Sequence, residues 1–293
     1  MWNEQEVLWT CAQIARSNDE ALSAVSVESV RDAVRARGLL LLRGFETDLA
    51  GFEAFTKRFS RRFYVHGNPE RAQVSPDDTT QEVQPGRFPI PLHLERGTTP
   101  FSPDLYWFYC ASPAGAGGET TYCDGLQLLQ SLGADVLGFF REQRICWHNR
   151  FPAQVWRRAY GVASRAQAEQ LLRAMRGAIS GLQYRFDGDD GLHLSFVTSA
   201  IRRSKHGDHE VFANSLLMRD RLSSMYHATL ADGAAIPAAI YAELEAAAAR
   251  LTYAHRWHAG DIIVVDNTRV MHGRRGFADP GRRIYVRMCD AEW

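Results

Sequence analysis

Pro89-Ile-Pro-Leu-His-Leu-Glu-Arg-Gly97 is the stretch on which the reading of the chain turns. Taken as a strand, it sends residues two apart to the same face. His93 and Glu95 then project together, with Leu92 and Leu94 on the opposite face. An imidazole beside a carboxylate supplies two of the three ligands of a 2-His-1-carboxylate facial triad. Such a triad holds non-haem Fe(II) and leaves coordination positions open. His-x-Glu also recurs by chance, and alone the pair reads equally well as an ion pair on a sheet face. A second histidine and a co-substrate pocket decide between the two.

Downstream, Gly260-Asp-Ile-Ile-Val-Val-Asp-Asn-Thr-Arg-Val-Met-His-Gly-Arg-Arg275 brings His272 to the end of an apolar strand and turn. Eleven residues later comes Arg283, within Gly281-Arg-Arg-Ile-Tyr-Val-Arg287. Strand alternation puts Arg283, Tyr285 and Arg287 on one face. An arginine pointing into a β interior needs an anionic partner, because a buried unpaired charge is very costly. A guanidinium pairs bidentately with a carboxylate, so a small dicarboxylate would satisfy it.

With these residues in order, the chain resembles the taurine dioxygenase (TauD/TfdA) family of Fe(II)/2-oxoglutarate-dependent oxygenases. The family pattern is His-x-Asp/Glu, a long insertion, a distal His and an Arg some ten to fifteen residues beyond it. His93, Glu95, His272 and Arg283 match in type, order and spacing. Gly117-Gly-Glu-Thr120 matches a family segment whose Thr helps hold 2-oxoglutarate, which assigns that role to Thr120. Leu39 to Phe45, Asp232 to Pro237 and Gly260 to Asn267 are similar too, so the resemblance runs from about residue 25 onward. It implies a double-stranded β-helix, or jelly roll, and Fe(II) held by His93, Glu95 and His272. It also implies 2-oxoglutarate held by Thr120 and Arg283, with Arg287 at its C1 carboxylate or at an anionic substrate group. O2 is then consumed, succinate and CO2 are released, and a substrate carbon is hydroxylated, desaturated or cyclised. Glu95 stands where much of the family has Asp, and its carboxylate excludes the halogenase variant. Phe212-Ala-Asn214 departs from a related Phe-Asn, and no role is carried onto Asn214.

The remaining chain fits a mainly β protein with flanking helices, organised as one domain over 1–293. Helical spacing marks 4–16, 27–37, 49–60, 126–132 and 135–142, with strands at 39–42, 104–110, 117–124 and 146–151. Ser164-Arg-Ala-Gln167 is a capping box that opens a helix to about Met175. Asp187-Gly-Asp-Asp-Gly191 separates two strands of a hairpin. His206-Gly-Asp-His209 reads as a solvated hairpin tip. Pro237 starts a helix to Leu251, and strands follow at 253–257, 261–265 and 282–288. Residues 64–88 are polar and turn-rich, a loop long enough to serve as a lid over the site. His66, Arg71 and Gln81 within it are candidate substrate contacts. An insertion over about 145–231 is the other region expected to set specificity.

Charge excludes some partners. Thirty-four basic side chains balance 34 acidic ones, so no basic excess points to nucleic acid or a membrane surface. No run approaches a membrane span. The five cysteines are odd in number and scattered, which fits reduced thiols in the cytoplasm. The expected partner is a small molecule, free or carrier-bound, such as an amino acid or natural-product intermediate. A homo-oligomer is compatible with this composition. Competing readings are a non-redox cupin-like hydrolase or isomerase and a non-catalytic binding protein on the same fold. Neither needs the dicarboxylate clamp.

Overall fold

The apolar run Leu39-Leu-Leu-Leu42 forms a buried strand, as its continuous hydrophobicity predicts. The computed structural model describes residues 11–15, 21–84, 86–179, 181–218 and 225–293. The first elements are β1 (Cys11–Ala15), α1 (Val27–Arg37), β2 (Leu39–Arg43), α2 (Leu49–Thr56), β3 (Phe63–Tyr64), β4 (Gln81–Glu82) and β5 (Ile90–His93). Next come β6 (Leu105–Ser112), β7 (Thr120–Asp124), α3 (Gly125–Ser131), α4 (Ala134–Glu142), β8 (Ile145–Phe151), α5 (Ala153–Tyr160), α6 (Arg165–Arg176), β9 (Gln183–Phe186) and β10 (Leu192–Thr198). The rest are β11 (Ile201–Arg203), β12 (Glu210–Phe212), β13 (Tyr226–Leu230), α7 (Ala238–Leu251), β14 (Tyr253–His255), β15 (Ile262–Asp266), β16 (Val270–Arg274) and β17 (Arg283–Cys289).

Two sheets make the jelly roll. The larger runs β1-β2-β15-β6-β17-β3, with β4 also on β17; the smaller runs β14-β7-β16-β5. Alternation sorts their residues. Tyr106, Phe108, Ile284, Val286 and Met288 of the large sheet face Tyr122 and Val270 of the small one. The other face, with Trp107, Tyr109 and Tyr285, packs under Val30, Val34, Phe52 and Phe55 of α1 and α2. A second four-stranded sheet, β13-β8-β10-β9, lies within the insertion. It shares a core with α3, α4, α6 and α7.

Local signals behave as expected at several ends. Ser26 caps α1, and Gly38 ends it with φ 74. A Cβ on Gly38 would lie 2.7 Å from Val270 Cγ2, so the close approach and the left-handed turn both require glycine there. Ser164 and Gln167 form the capping box of α6.

Three expectations change. In the helix expected over 4–16, residues 11–15 instead form β1, parallel to β2; the others lie outside the described residues. Five residues of Cys-Ala-Gln-Ile-Ala fit period two as well, and Ala12 and Ile14 pack on the core. α2 ends at Thr56, short of 60. His206 is buried, not solvated; its Nδ1 accepts from Trp293 Nε1 at 3.3 Å.

One buried ion pair ties the sheets to the helices. Arg269 Nε and Nη2 donate to Asp124 Oδ1 and Oδ2 at 2.9 and 2.6 Å. Arg269 Nη1 also meets the carbonyls of Arg35 and Ala36. Both side chains are buried. Removing one partner strands the other charge, so Arg269→Ala is expected to lower unfolding free energy by about 3–5 kcal/mol. Urea denaturation checks this, and a loss under about 1 kcal/mol would show that the pair does not hold the fold.

Candidate metal and co-substrate site

The site begins with a strand pairing. In the antiparallel ladder of β16 and β5, His272 lies directly opposite His93. Their rings sit 4.4 Å apart between centroids. Glu95 follows β5 by two residues and is held by its backbone. Its N–H donates to Asn267 Oδ1 at 2.8 Å, and Asn267 Nδ2 donates to the Glu95 carbonyl at 3.1 Å. Asn267 sits in the turn between β15 and β16, so one turn positions both the carboxylate and the strand of the distal histidine.

One ligand atom from each of His93, Glu95 and His272 lies within 4.8 Å of the others. That set is able to hold one metal ion. His93 Nδ1 lies 2.9 Å from the Pro91 carbonyl, which leaves Nε2 as the ligating atom, the orientation typical of metal-bound histidine. Burial lowers the pKa of both His93 and His272, and only a neutral imidazole can ligate. Burial alone would raise the Glu95 carboxyl, but the Arg71 guanidinium opposes it, and the group is held well below its ordinary value. The donor set is therefore in its ligating form, and it fits a 2-His-1-carboxylate metal centre.

The triad opens on a cavity of about 590 Å³, of a size ordinary for small-molecule sites. Thr120 and Arg282 line it from one side. Thr120 is buried, and its Oγ1 accepts from Trp257 Nε1 at 2.9 Å, so the hydroxyl proton remains available to an acceptor. Arg282 Nε donates to the Gly118 carbonyl at 3.0 Å, and its guanidinium lies 5.1 Å from the Phe277 ring. Burial lowers its pKa to about 10, so it remains a cation at neutral pH.

The expectations for Arg283 and Arg287 are not met by this geometry. The inward residues of β17 are Ile284, Val286 and Met288. Arg282 is in phase with them; Arg283 and Arg287 are not. A register shift between Arg283 and Ile284 marks the point where the strand enters the sheet. Arg283 is exposed and absent from the cavity wall. Arg287 is buried on the far face, where it donates to the Glu53 carbonyl and the Thr56 and Thr79 hydroxyls. Its guanidinium lies 3.7 Å from the Phe63 ring centroid. It secures the last turn of α2.

Segment 64–88 forms another wall. His66 Nε2 lies 3.3 Å from Glu95 Oε1, and Arg71 Nη2 lies 3.7 Å from Glu95 Oε2. Burial, then Arg71, pushes His66 down to about 3, so it is neutral here. Gln81 does not line the cavity. Its Oε1 accepts from the His66 N–H at 2.9 Å, so it fixes His66 rather than touching a ligand. Arg158 of α5 pins the segment through Asp78 and the carbonyls of Asn68 and Arg71.

Several residues escaped the sequence reading: Arg282, Arg96 and Tyr160 of α5 in the cavity wall, and Trp257 behind Thr120. The first was legible from the apolar phase of Ile284, Val286 and Met288. The others depend on how distant segments close around the cavity.

Fold and site together define the class of mononuclear non-haem metal oxygenases on a jelly roll. The sequence model of the "Taurine catabolism dioxygenase TauD, TfdA family" matches residues 11–289, and the chain belongs to that family. It is a dioxygenase that uses iron and 2-oxoglutarate. Among relatives, the dapdiamide synthesis protein DdaC of Enterobacter agglomerans is 23% identical, over 97% of this chain and 90% of its own. The 3-((Z)-2-isocyanoethenyl)-1H-indole synthase of Fischerella ambigua is 21% identical, over 94% of this chain and 89% of its own. The fold is shared with PvcB of Pseudomonas aeruginosa at TM-score 0.61 and 18% identity, over 96% of this chain and 86% of that one. It is shared also with AAD-2, solved with Mn(II) and N-oxalylglycine, at TM-score 0.63 and 12% identity, over 99% and 97% of the two chains. Among the described residues no helix is long and apolar enough to cross a membrane.

Proposed function

We propose that this enzyme oxidises a carbon of a small natural-product intermediate or amino acid, by hydroxylation, desaturation or ring closure. His93, Glu95 and His272 would hold the iron. Arg282 would receive the C5 carboxylate of 2-oxoglutarate, with the Thr120 hydroxyl as a second donor. The observation that carries this reading is that Thr120 and Arg282, a donor and a partly buried cation, line the cavity that holds the triad. A hydrolase or isomerase with the same ligands has no use for that pair. The relatives' place in dapdiamide and isonitrile-indole synthesis supports the substrate class.

Bound iron with 2-oxoglutarate supplies the oxidising power of the reaction, by activating O2. The chain's own residues prepare it. His93 and His272 stay neutral, so their lone pairs are available as ligands. Arg71 and His66 keep Glu95 ionised and aimed. Trp257 orients the Thr120 hydroxyl towards the co-substrate. Burial of Arg282 in a wall of low polarity strengthens its pairing with a carboxylate. Residues 64–88, tied down by Arg158 and by Arg274 through the carbonyls of Gln84, Gly86 and Phe88, would act as a lid that limits water at the site.

Anaerobic addition of Fe(II) and 2-oxoglutarate should give a weak visible charge-transfer band, and aerobic turnover should release succinate. No band and no succinate would overturn the proposal. Trp257→Phe, which removes the 2.9 Å bond to Thr120, is expected to raise the KM for 2-oxoglutarate about fivefold, the worth of one neutral hydrogen bond. Iron affinity should not change; a matching loss of both would assign Trp257 to packing alone.

A further inference from the structure

Arg96 directly follows Glu95 and has φ 56. A side chain with a Cβ is strained in this left-handed region. The turn is tight: Gly97 N–H donates to the Leu94 carbonyl at 2.9 Å, and Thr99 N–H to the Arg96 carbonyl at 3.0 Å. Glycine would take this turn without strain, yet the position carries the longest cationic side chain. Strain kept beside a reactive site points to a use for the side chain.

The Arg96 guanidinium lies over the Tyr64 ring at 5.5 Å from its centroid. Its Nη1 is buried without a hydrogen-bond partner, and so are the Tyr160 hydroxyl and Arg71 Nε. Buried polar atoms are normally partnered. These three come from three segments: the turn after β5, the end of α5 and the 64–88 segment. All three residues line the cavity of the triad. Arg71 turns its terminal nitrogens to Glu95 and to the Tyr106 hydroxyl, and Nε is its nitrogen without a partner. Three unpartnered donors on one cavity, two of them cationic, suit a planar anion. They are distinct from Arg282 and Thr120, the pair assigned to 2-oxoglutarate. Phe88, Phe151, Val155, Met218 and Tyr226 make much of the remaining wall apolar.

We infer that the substrate carries a carboxylate, received by Arg96 with the Tyr160 hydroxyl and Arg71 Nε, on an apolar body. This rests on the reading of the cavity as an iron and 2-oxoglutarate site, and it names the substrate class for that site. Arg96 thereby sets specificity, because a neutral analogue leaves the cationic cradle unpaired.

The test uses enzyme loaded anaerobically with Fe(II) and 2-oxoglutarate. It is titrated calorimetrically with 3-phenylpropanoate and with its neutral counterpart 3-phenylpropanamide. The acid is expected to bind at least about tenfold more tightly than the amide. Arg96→Gly should erase that preference by weakening the acid alone, with the charge-transfer band unchanged. Because glycine relieves the backbone strain, Arg96→Gly should unfold no earlier than the parent protein, which a purely structural role would not give. Tyr160→Phe should weaken the acid severalfold. The inference is overturned if the amide binds as well as the acid, or if neither binds at millimolar concentration. It is overturned also if Arg96→Gly keeps the preference or raises the 2-oxoglutarate requirement. A parent enzyme with no band would instead overturn the underlying site assignment.

Discussion

Arg282→Ala is expected to raise the 2-oxoglutarate requirement at least about 30-fold, while Arg283→Ala leaves it within about twofold. Truncating one member of a buried, hydrogen-bonded charge pair costs about 2–5 kcal/mol, and each 1.4 kcal/mol is tenfold in affinity. Arg282 is partly buried, points inward and lines the triad's cavity. Arg283 is exposed on the other side of β17. Arg282→Lys should recover only part of the loss, since an ammonium lacks the two-pronged fork that matches a carboxylate. The free protein should not lose stability in Arg282→Ala, because a desolvated cation is removed. The KM from succinate release and an anaerobic titration of the charge-transfer band both report the effect. If Arg283→Ala gave the loss instead, the strand phase assigned to β17 would be wrong.

That one-residue difference shows what was legible in the chain. His93, Glu95 and His272 could be read directly, because each lies on or beside a short apolar strand and the triad depends only on residue type and order. The arginine was harder, since Arg282 and Arg283 are adjacent and either satisfies the spacing. Counting alternation from Arg283 groups it with Tyr285 and Arg287, which pack outward. Counting from the apolar set Ile284, Val286 and Met288 selects Arg282. Buried β-branched and sulfur side chains were the better guide to the interior, because a buried arginine such as Arg287 can be satisfied by backbone carbonyls and hydroxyls on either face.

Other features had no local signature. α5 is eight residues long, begins after Pro152 and has no side-chain cap, so neither length nor a cap announces it. Its Arg158 acquires a role only where the helix meets segment 64–88, and its Tyr160 only where the helix lines the cavity. Arg96 is equally silent, since a left-handed turn is foretold by glycine or asparagine and not by arginine. Five residues at β1 fit a helix or a strand, and only the parallel pairing with β2 decides. Secondary structure was thus readable where one element carries its own pattern, and the cavity wall was not, because it is made by segments far apart in sequence.

His272→Ala is expected to lose iron binding by about 100-fold or more while the protein stays folded. Even changes to groups that only orient a ligand cost 10–100-fold, and this one removes the ligand. The two remaining donors, His93 and Glu95, cannot enclose one face of an ion. The fold should tolerate the change better than its burial suggests. The His272 ring packs against Tyr106 and Phe108 at 4.8 and 5.5 Å, so a cavity opens. Yet its buried Nδ1 has no hydrogen-bond partner, and removing an unsatisfied polar atom offsets part of the lost packing. A destabilisation of about 1–2 kcal/mol follows, ordinary for a single substitution. Anaerobic Fe(II) titration, with circular dichroism on the same samples, separates the two effects. His272→Ala should abolish the charge-transfer band at any 2-oxoglutarate concentration, because iron is missing. Arg282→Ala should restore the band when 2-oxoglutarate is raised, because iron is present and only the co-substrate is loosely held. If excess 2-oxoglutarate restored the band in both variants, His272 would not be a ligand.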